Sequence, residues 1–250
     1  FMVAMDDGYL HVDDIVDTGN GVKNMHGRNM KDSNWRSMGG FGVLTAAECI
    51  EKSSNVGVSY FIDKFYYDQP EKFVDGLYRI GLAEDLKLSI PGYACPRIRR
   101  PMKNRENWSK TALAWMSIGY ETQVPPISTL AFYNGIANGG KMLRPRFVKS
   151  LMKNGEVVQE YPVTVVRDRM CSPKTLNDIK MCLELVVKKG TGKKVRSKNF
   201  RIAGKSGTAQ IWTKAGRTSE YLVTFVGYFP ADNPCLLYTS PSPRDRTRSR

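Results

Sequence analysis

The sequence predicts an α+β protein, an antiparallel sheet flanked by helices, and three observations predict it. Segments with helical spacing of apolar residues fill the first and middle parts of the chain. Two runs that read as strands of one sheet, Phe200–Trp212 and Tyr221–Phe229, come last. Between them and the early helices, Asn154-Gly155 separates two short extended runs. Helices first and paired strands last is an α+β ordering, not the alternation that builds a parallel sheet.

Phe1-Met2-Val3-Ala4-Met5 reads as the inside of a helix, and residues up to 42, rich in Gly, Asp and Asn, read as loops. Thr45-Ala46-Ala47-Glu48 is a capping box, in which the Thr hydroxyl caps the helix and Glu48 reaches back. Helical signals then run to about Tyr67, with a break near Ser53–Asn55. Pro70 to Leu82 places Phe73, Leu77 and Ile80 at helical spacing, with Gly81 near the stop. Residues 83–107 read as loop. Pro125 to Asn138 is a helix with proline at its start and Gly139-Gly140 after its end. Asn-Gly between Lys149–Lys153 and Glu156–Val158 is the signal of a two-residue hairpin. Ser172 to Val187 carries Leu176, Ile179, Leu183, Val186 and Val187 on one side and ends before Gly190.

Composition narrows the function classes. With 41% hydrophobic and 25% charged residues, the 250-residue chain has ordinary globular composition. No stretch approaches 18 consecutive apolar residues, so no transmembrane helix is expected within it. Cys49, Cys95, Cys171, Cys182 and Cys235 form no CxxC pair and match no zinc spacing; they are expected as free, buried small hydrophobes. His11 and His26 lack any metal-binding context, so neither a metal nor a cofactor is expected. Net charge is +14, of which the segment from Cys235 onward contributes +3. Basic residues do not interleave with aromatics as a single-strand groove requires, so the charge reads as a solvated surface and nucleic acid is not an expected partner. Cys235–Asp245 looks like one reading frame of a common transposase sequencing adapter. Residues 1–234 are therefore expected to form the domain, with 235–250 not native.

Two short segments carry chemistry. Ser53-Ser54-Asn55 sits at the break between two helical stretches, and Lys205-Ser206-Gly207-Thr208 lies inside a strand. Each has an ordinary structural use: Ser and Asn cap helices, and strand lysines are commonly solvated. Gly204-Lys205-Ser206 also looks like the end of a phosphate-binding loop. However, its first glycine would fall on Asn199, and Thr208–Trp212 reads as strand where a phosphate site needs a helix N-terminus.

Together and in this order, the two segments resemble the second and third motifs of penicillin-recognising serine enzymes, whose first motif is Ser-x-x-Lys. The resemblance extends to class B penicillin-binding proteins, and most to the septal, cell-division member. It is carried by Lys52–Gly57, Ser117–Tyr120, Pro125-Pro126, Ile136–Gly140, Arg144-Pro145, Gly190-Thr191-Gly192, Gly204–Gln210 and Gly227–Pro230. It implies a transpeptidase/serine β-lactamase-like fold with a helical subdomain, truncated at both ends.

It also implies a peptidoglycan D,D-transpeptidase that works through a serine acyl-enzyme. Ser53 would relay a proton, Asn55 would hold the substrate peptide, and Lys205 would supply positive charge. The Ser206 and Thr208 hydroxyls would bind the substrate's terminal carboxylate, Gly207 would let a peptide lie against the strand, and the Thr208 N–H would be half of an oxyanion hole. The implied partners are the D-Ala-D-Ala stem peptide, β-lactams and membrane proteins of the divisome. The implied location is outside the cytoplasmic membrane on an N-terminal anchor. A β-lactamase or β-lactam sensor of the same superfamily, or a basic binding module, is the alternative.

The nucleophile is the exception. The one Ser-x-x-Lys string, Ser150–Lys153, comes after Ser53-Ser54-Asn55 instead of before it, and lies on a predicted hairpin arm. Residues three apart on a strand point to opposite faces, so Lys153 is not expected to take a proton from Ser150. The resemblance implies a nucleophile within about ten residues upstream of Phe1, on the helix to which Phe1–Met5 belongs, and implies a further strand and helix after Pro234.

Overall fold

The computed structural model describes residues 1–102, 106–213 and 216–240. Helix α1 (Met2–Asp6) is followed by strands β1 (Ile15–Asp17), β2 (Val22–Met25), β3 (Arg28–Lys31) and β4 (Val43–Thr45). Helices α2 (Ala46–Glu51), α3 (Asn55–Tyr66) and α4 (Pro70–Arg79) come next. After them come β5 (Arg97–Ile98), α5 (Ala112–Met116), β6 (Thr122–Gln123) and α6 (Pro126–Ala137). Strands β7 (Met142–Leu143), β8 (Ser150–Lys153), β9 (Glu156–Glu160) and β10 (Val165–Arg167) precede α7 (Pro173–Lys188). The chain then forms β11 (Ala203–Thr213), β12 (Gly216–Phe229) and β13 (Leu236–Ser240).

The end signals act as their chemistry predicts. Thr45 accepts from Glu48 N while Glu48 reaches back to Thr45 N at 2.9 Å, completing the capping box. Ser172 caps α7, with Pro173 at the first helical position, where its missing N–H costs nothing. Caps of this kind are each worth ~1 kcal/mol. Asn154 and Gly155 take φ of 54° and 85°, so the β8–β9 turn uses the left-handed conformations that an Asn-Gly hairpin demands.

Strands β11, β12 and β13 form one antiparallel sheet, with Lys205 opposite Val226, Gly207 opposite Thr224, and Val226 opposite Thr239. Helix α7 packs on β11, and α6 packs on β12 and β13. The main core runs from the helical part into the sheet, beside a smaller cluster of Met25, Met30, Val56 and Ala114. The main core contains Val3 and Ala4 of α1, Phe61, Ile62 and Tyr66 of α3, Leu113, Ile136, and Ala203 and Tyr228 of the sheet.

Helix α1 is tied at its end. Asp6 accepts Ser172 N–H at 2.7 Å, Tyr66 donates to Asp7 at 2.6 Å, and Arg79 pairs with Asp7 at 2.5 Å. Three helices are thereby fixed against the first one. Among the described residues no helix is long and apolar enough to cross a membrane.

Several expectations need correction. Residues 10–45 are not only loops: β1 pairs with β4, and β2 with β3. Such three- and four-residue ladders are too short to show a period. The strand implied after Pro234 is occupied by Leu236–Ser240, which pairs along β12 and satisfies its backbone beside that strand's edge. Cys95 and Cys235 are exposed, so only Cys49, Cys171 and Cys182 act as buried hydrophobes.

Candidate active site

The site is built on a tight turn and an edge strand. Helix α2 ends at Glu51, and the chain reverses through Lys52, Ser53 and Ser54 before α3 begins at Asn55. Ser53 sits at φ 57°, the left-handed region that costs a side-chain-bearing residue roughly 1–2 kcal/mol. Ser54 is the N-cap of α3, accepting Gly57 N–H at 2.9 Å. Capping, the ordinary use of a serine here, thus falls to Ser54 and leaves the Ser53 side chain free for another contact.

That contact is Lys205, whose Nζ donates to Ser53 Oγ at 2.7 Å and to the Ser206 carbonyl at 2.8 Å. Lys205 is held on β11 by its pairing with Val226, and α7 covers the strand. Burial disfavours the ammonium and pushes its pKa down from 10.5 to about 8. The lysine is therefore a cation that releases its proton far more readily than a solvated one. The neighbouring Ser206 hydroxyl is 2.8 Å from Thr191 Oγ1, and Thr191 N–H donates to the Glu51 carbonyl at 3.2 Å. Thr191 thus ties the strand to the residue that ends α2.

The remaining predicted residues lie around this pair. Asn55 Nδ2 donates to the Lys31 carbonyl at 2.9 Å, so its amide is oriented by the end of β3. At Gly207 a Cβ would lie 2.5 Å from Thr224 Oγ1, so a side chain there would require the Thr224 hydroxyl to move. Thr208 is exposed. A cavity of about 480 Å³ opens beside Gly207, Thr208 and Ala209, lined also by Tyr120, Thr122 and Thr129; Ser53 and Lys205 do not line it. The structure therefore brings Ser53, Lys205 and Ser206 into direct contact. Asn55 joins them through the turn, and Gly207 and Thr208 along the strand.

The rivals meet this geometry poorly. Strand β11 continues to Thr213 where a phosphate loop would need a helix N-terminus. Ser150 and Lys153 lie on β8 of the hairpin, not on one helical face. Among the described residues there is no group of three or more His, Cys, Asp or Glu able to hold a metal. Two residues of the site are missing from the sequence-based expectation. Thr191 lies within Gly190-Thr191-Gly192, a string to which the sequence assigns no role, and Asp32 carries no local signal at all.

A turn serine hydrogen-bonded to a partly buried strand lysine, where a helical region meets an antiparallel sheet, fits the penicillin-recognising class of serine enzymes. The chain belongs to the penicillin binding protein transpeptidase domain family, whose model matches residues 1–240. PbpB of Mycolicibacterium smegmatis, a penicillin-binding protein, is 27% identical over 92% of this chain and 35% of its own length. The probable peptidoglycan D,D-transpeptidase PbpC of Pseudomonas aeruginosa is 31% identical over 78% of this chain and 32% of its own. The chain spans about a third of the length of these relatives.

Solved structures agree. The transpeptidase domain of Burkholderia pseudomallei penicillin-binding protein 3 matches with a TM-score of 0.78 at 28% identity, over 97% of this chain and 68% of that one. Penicillin-binding protein 3 of Mycobacterium tuberculosis in complex with ampicillin matches with a TM-score of 0.79 at 25% identity, over 95% of this chain and 52% of that one.

Proposed function

We propose that the chain is the greater part of the catalytic domain of a peptidoglycan D,D-transpeptidase. The whole protein would cross-link stem peptides during cell division, through a serine acyl-enzyme that β-lactams also form. The observation that carries this reading is the 2.7 Å hydrogen bond from Lys205 to Ser53. Breaking an amide by covalent catalysis needs a nucleophile, a proton acceptor and a route back to the leaving amine. With its oxygen lone pair occupied by the ammonium, Ser53 keeps its own O–H free to donate. A lysine with a pKa of about 8 can restore that proton at neutral pH.

The other residues take the substrate. Ser206 and Thr208 bind the terminal carboxylate, Asn55 holds the peptide, and the Thr208 N–H stabilises the tetrahedral oxyanion. Gly207 allows an extended peptide to lie beside β11. The nucleophile and its lysine lie upstream, on the helix that α1 continues, and the buried, tethered α1 is suited to hold them steady. Residues 1–234 are the native part of the domain and 235–250 are not native; Leu236–Ser240 adds to β12 where a native strand would pair. The protein works outside the cytoplasmic membrane on an N-terminal anchor, among divisome membrane proteins.

The test is labelling of the protein that carries the upstream Ser-x-x-Lys with a fluorescent penicillin. A covalent adduct stable for hours, lost on Lys205→Ala, is the expected result. No adduct sinks the reading, and an adduct hydrolysed within seconds assigns the protein to the β-lactamases instead.

A further inference from the structure

The turn that presents Ser53 is clamped by a buried carboxylate that belongs to none of the motifs. Asp32 comes directly after β3 and is 1% exposed. Both of its oxygens lie 3.0 Å from Ser54 Oγ, and Val56 N–H donates to Oδ1 at 2.9 Å. Ser54 Oγ also accepts Gly57 N–H. Two first-turn amides of α3 therefore end on this carboxylate, one directly and one through the serine hydroxyl. The preceding residue, Lys31, gives its carbonyl to Asn55 Nδ2 at 2.9 Å. Asp32 is itself held, its own N–H donating to Gly21 O at 2.9 Å.

This arrangement is expensive for a merely structural contact. Burial raises the Asp32 pKa, and the hydrogen bonds from Val56, Ser54 and Asn55 only oppose that rise. A neutral cap would close the helix more cheaply. The positive end of the α3 dipole offsets part of the cost. What the carboxylate adds is rigidity directly after Ser53: it holds the Ser54 hydroxyl and anchors the first turn of α3. Ser53 needs that rigidity, because its left-handed φ is one the residue would otherwise leave.

We propose that Asp32 is a positioning residue for acylation, holding Ser53 in its left-handed conformation with Oγ on Lys205. The proposal rests on the transpeptidase reading above, and its test separates the two. In the protein carrying the upstream Ser-x-x-Lys, the acylation rate constant with fluorescent penicillin is measured for Asp32→Ala and Asp32→Asn, each alone and combined with Ser53→Ala. Loss of positioning by an ångström costs roughly 100-fold in rate. Asp32→Ala is therefore expected to acylate about 100-fold more slowly, with Asp32→Asn, which keeps one acceptor oxygen, in between.

In the Ser53→Ala background neither change should slow the reaction further, because Asp32 acts only through Ser53. Losses that multiply across the pair overturn the proposal, as does full activity in Asp32→Ala. If neither variant is recovered folded, the carboxylate serves the fold as a whole and the proposal fails. An unsubstituted protein that does not acylate removes the transpeptidase reading itself.

Discussion

The Lys205 ammonium and the Ser53 hydroxyl meet at 2.7 Å across 152 positions of sequence. The contact joins the end of a helical segment to the edge of a sheet, and each partner is perturbed to make it. Ser53 accepts an unfavourable backbone conformation and Lys205 an unfavourable burial. Two costs borne at one contact place the most informative measurements there.

The first concerns proton binding. Folded Lys205 titrates near 8, whereas the unfolded residue titrates near 10.5. Between those values the unfolded chain holds a proton that the folded one has released, so stability rises with pH across the window. Below pH 8 both states are charged, and the penalty for the buried ammonium is present in full. Relative to Lys205→Met, the native sequence should gain thermal stability between pH 8 and 10 and hold a constant offset below pH 7. A constant difference across the whole range would contradict the lowered pKa.

The second isolates the strain at Ser53. Ser53→Ala and Ser53→Gly remove the same hydroxyl and the same bond to Lys205. They differ in that glycine adopts φ 57° at no steric cost. Ser53→Gly should therefore be more stable than Ser53→Ala by about 1 kcal/mol in chemical denaturation, while both lose acylation alike. The comparison cancels the lost hydrogen bond, which neither variant can report alone.

Much of this was legible from residue types, and what was not has a physical reason. The helices announced themselves through caps and spacing, as at Thr45-Glu48 and Ser172-Pro173. Ser53 and Lys205 were legible as members of motifs. Which of two adjacent serines caps α3 was not, because both have capping chemistry. Only the left-handed turn at Ser53 gives that role to Ser54. Asp32 was invisible for a stronger reason: its partners lie 22 and 24 residues away, and no local pattern encodes a bond made by folding. The pairing of β1 with β4 is hidden likewise, since three residues cannot display an alternation.

The hairpin yields a negative prediction. Ser150 and Lys153 have the residue types of a nucleophile and base, but they lie on β8 and the strand alternates its faces. In the protein with the upstream motif, Ser150→Ala and Lys153→Ala should each label with penicillin at the unsubstituted rate. Mass spectrometry of a labelled digest should find no adduct on the peptide containing Ser150; an adduct there would overturn the assignment of motif order.

Gly190 packs directly against the backbone that ends α2. A Cβ at this position would lie 2.0 Å from the Glu51 carbonyl oxygen and 2.8 Å from its carbon, closer than real atoms approach. The obstacle is backbone, so no side-chain rotation relieves it. Gly190→Ala must push the segment after α7 away from the end of α2, and the adjacent Thr191 moves with it. Thr191 then loses its bond to Glu51 O and its hold on the Ser206 hydroxyl. Overpacking of this kind costs ~1–3 kcal/mol, measurable as a lower denaturation midpoint. The site adds a second consequence: Ser206 released from Thr191 should weaken recognition of the β-lactam carboxylate. Acylation by penicillin should then fall more steeply in Gly190→Ala than in Thr191→Ser, which keeps the hydroxyl. Equal rates in the two variants would show that the Thr191 tether does not reach the site.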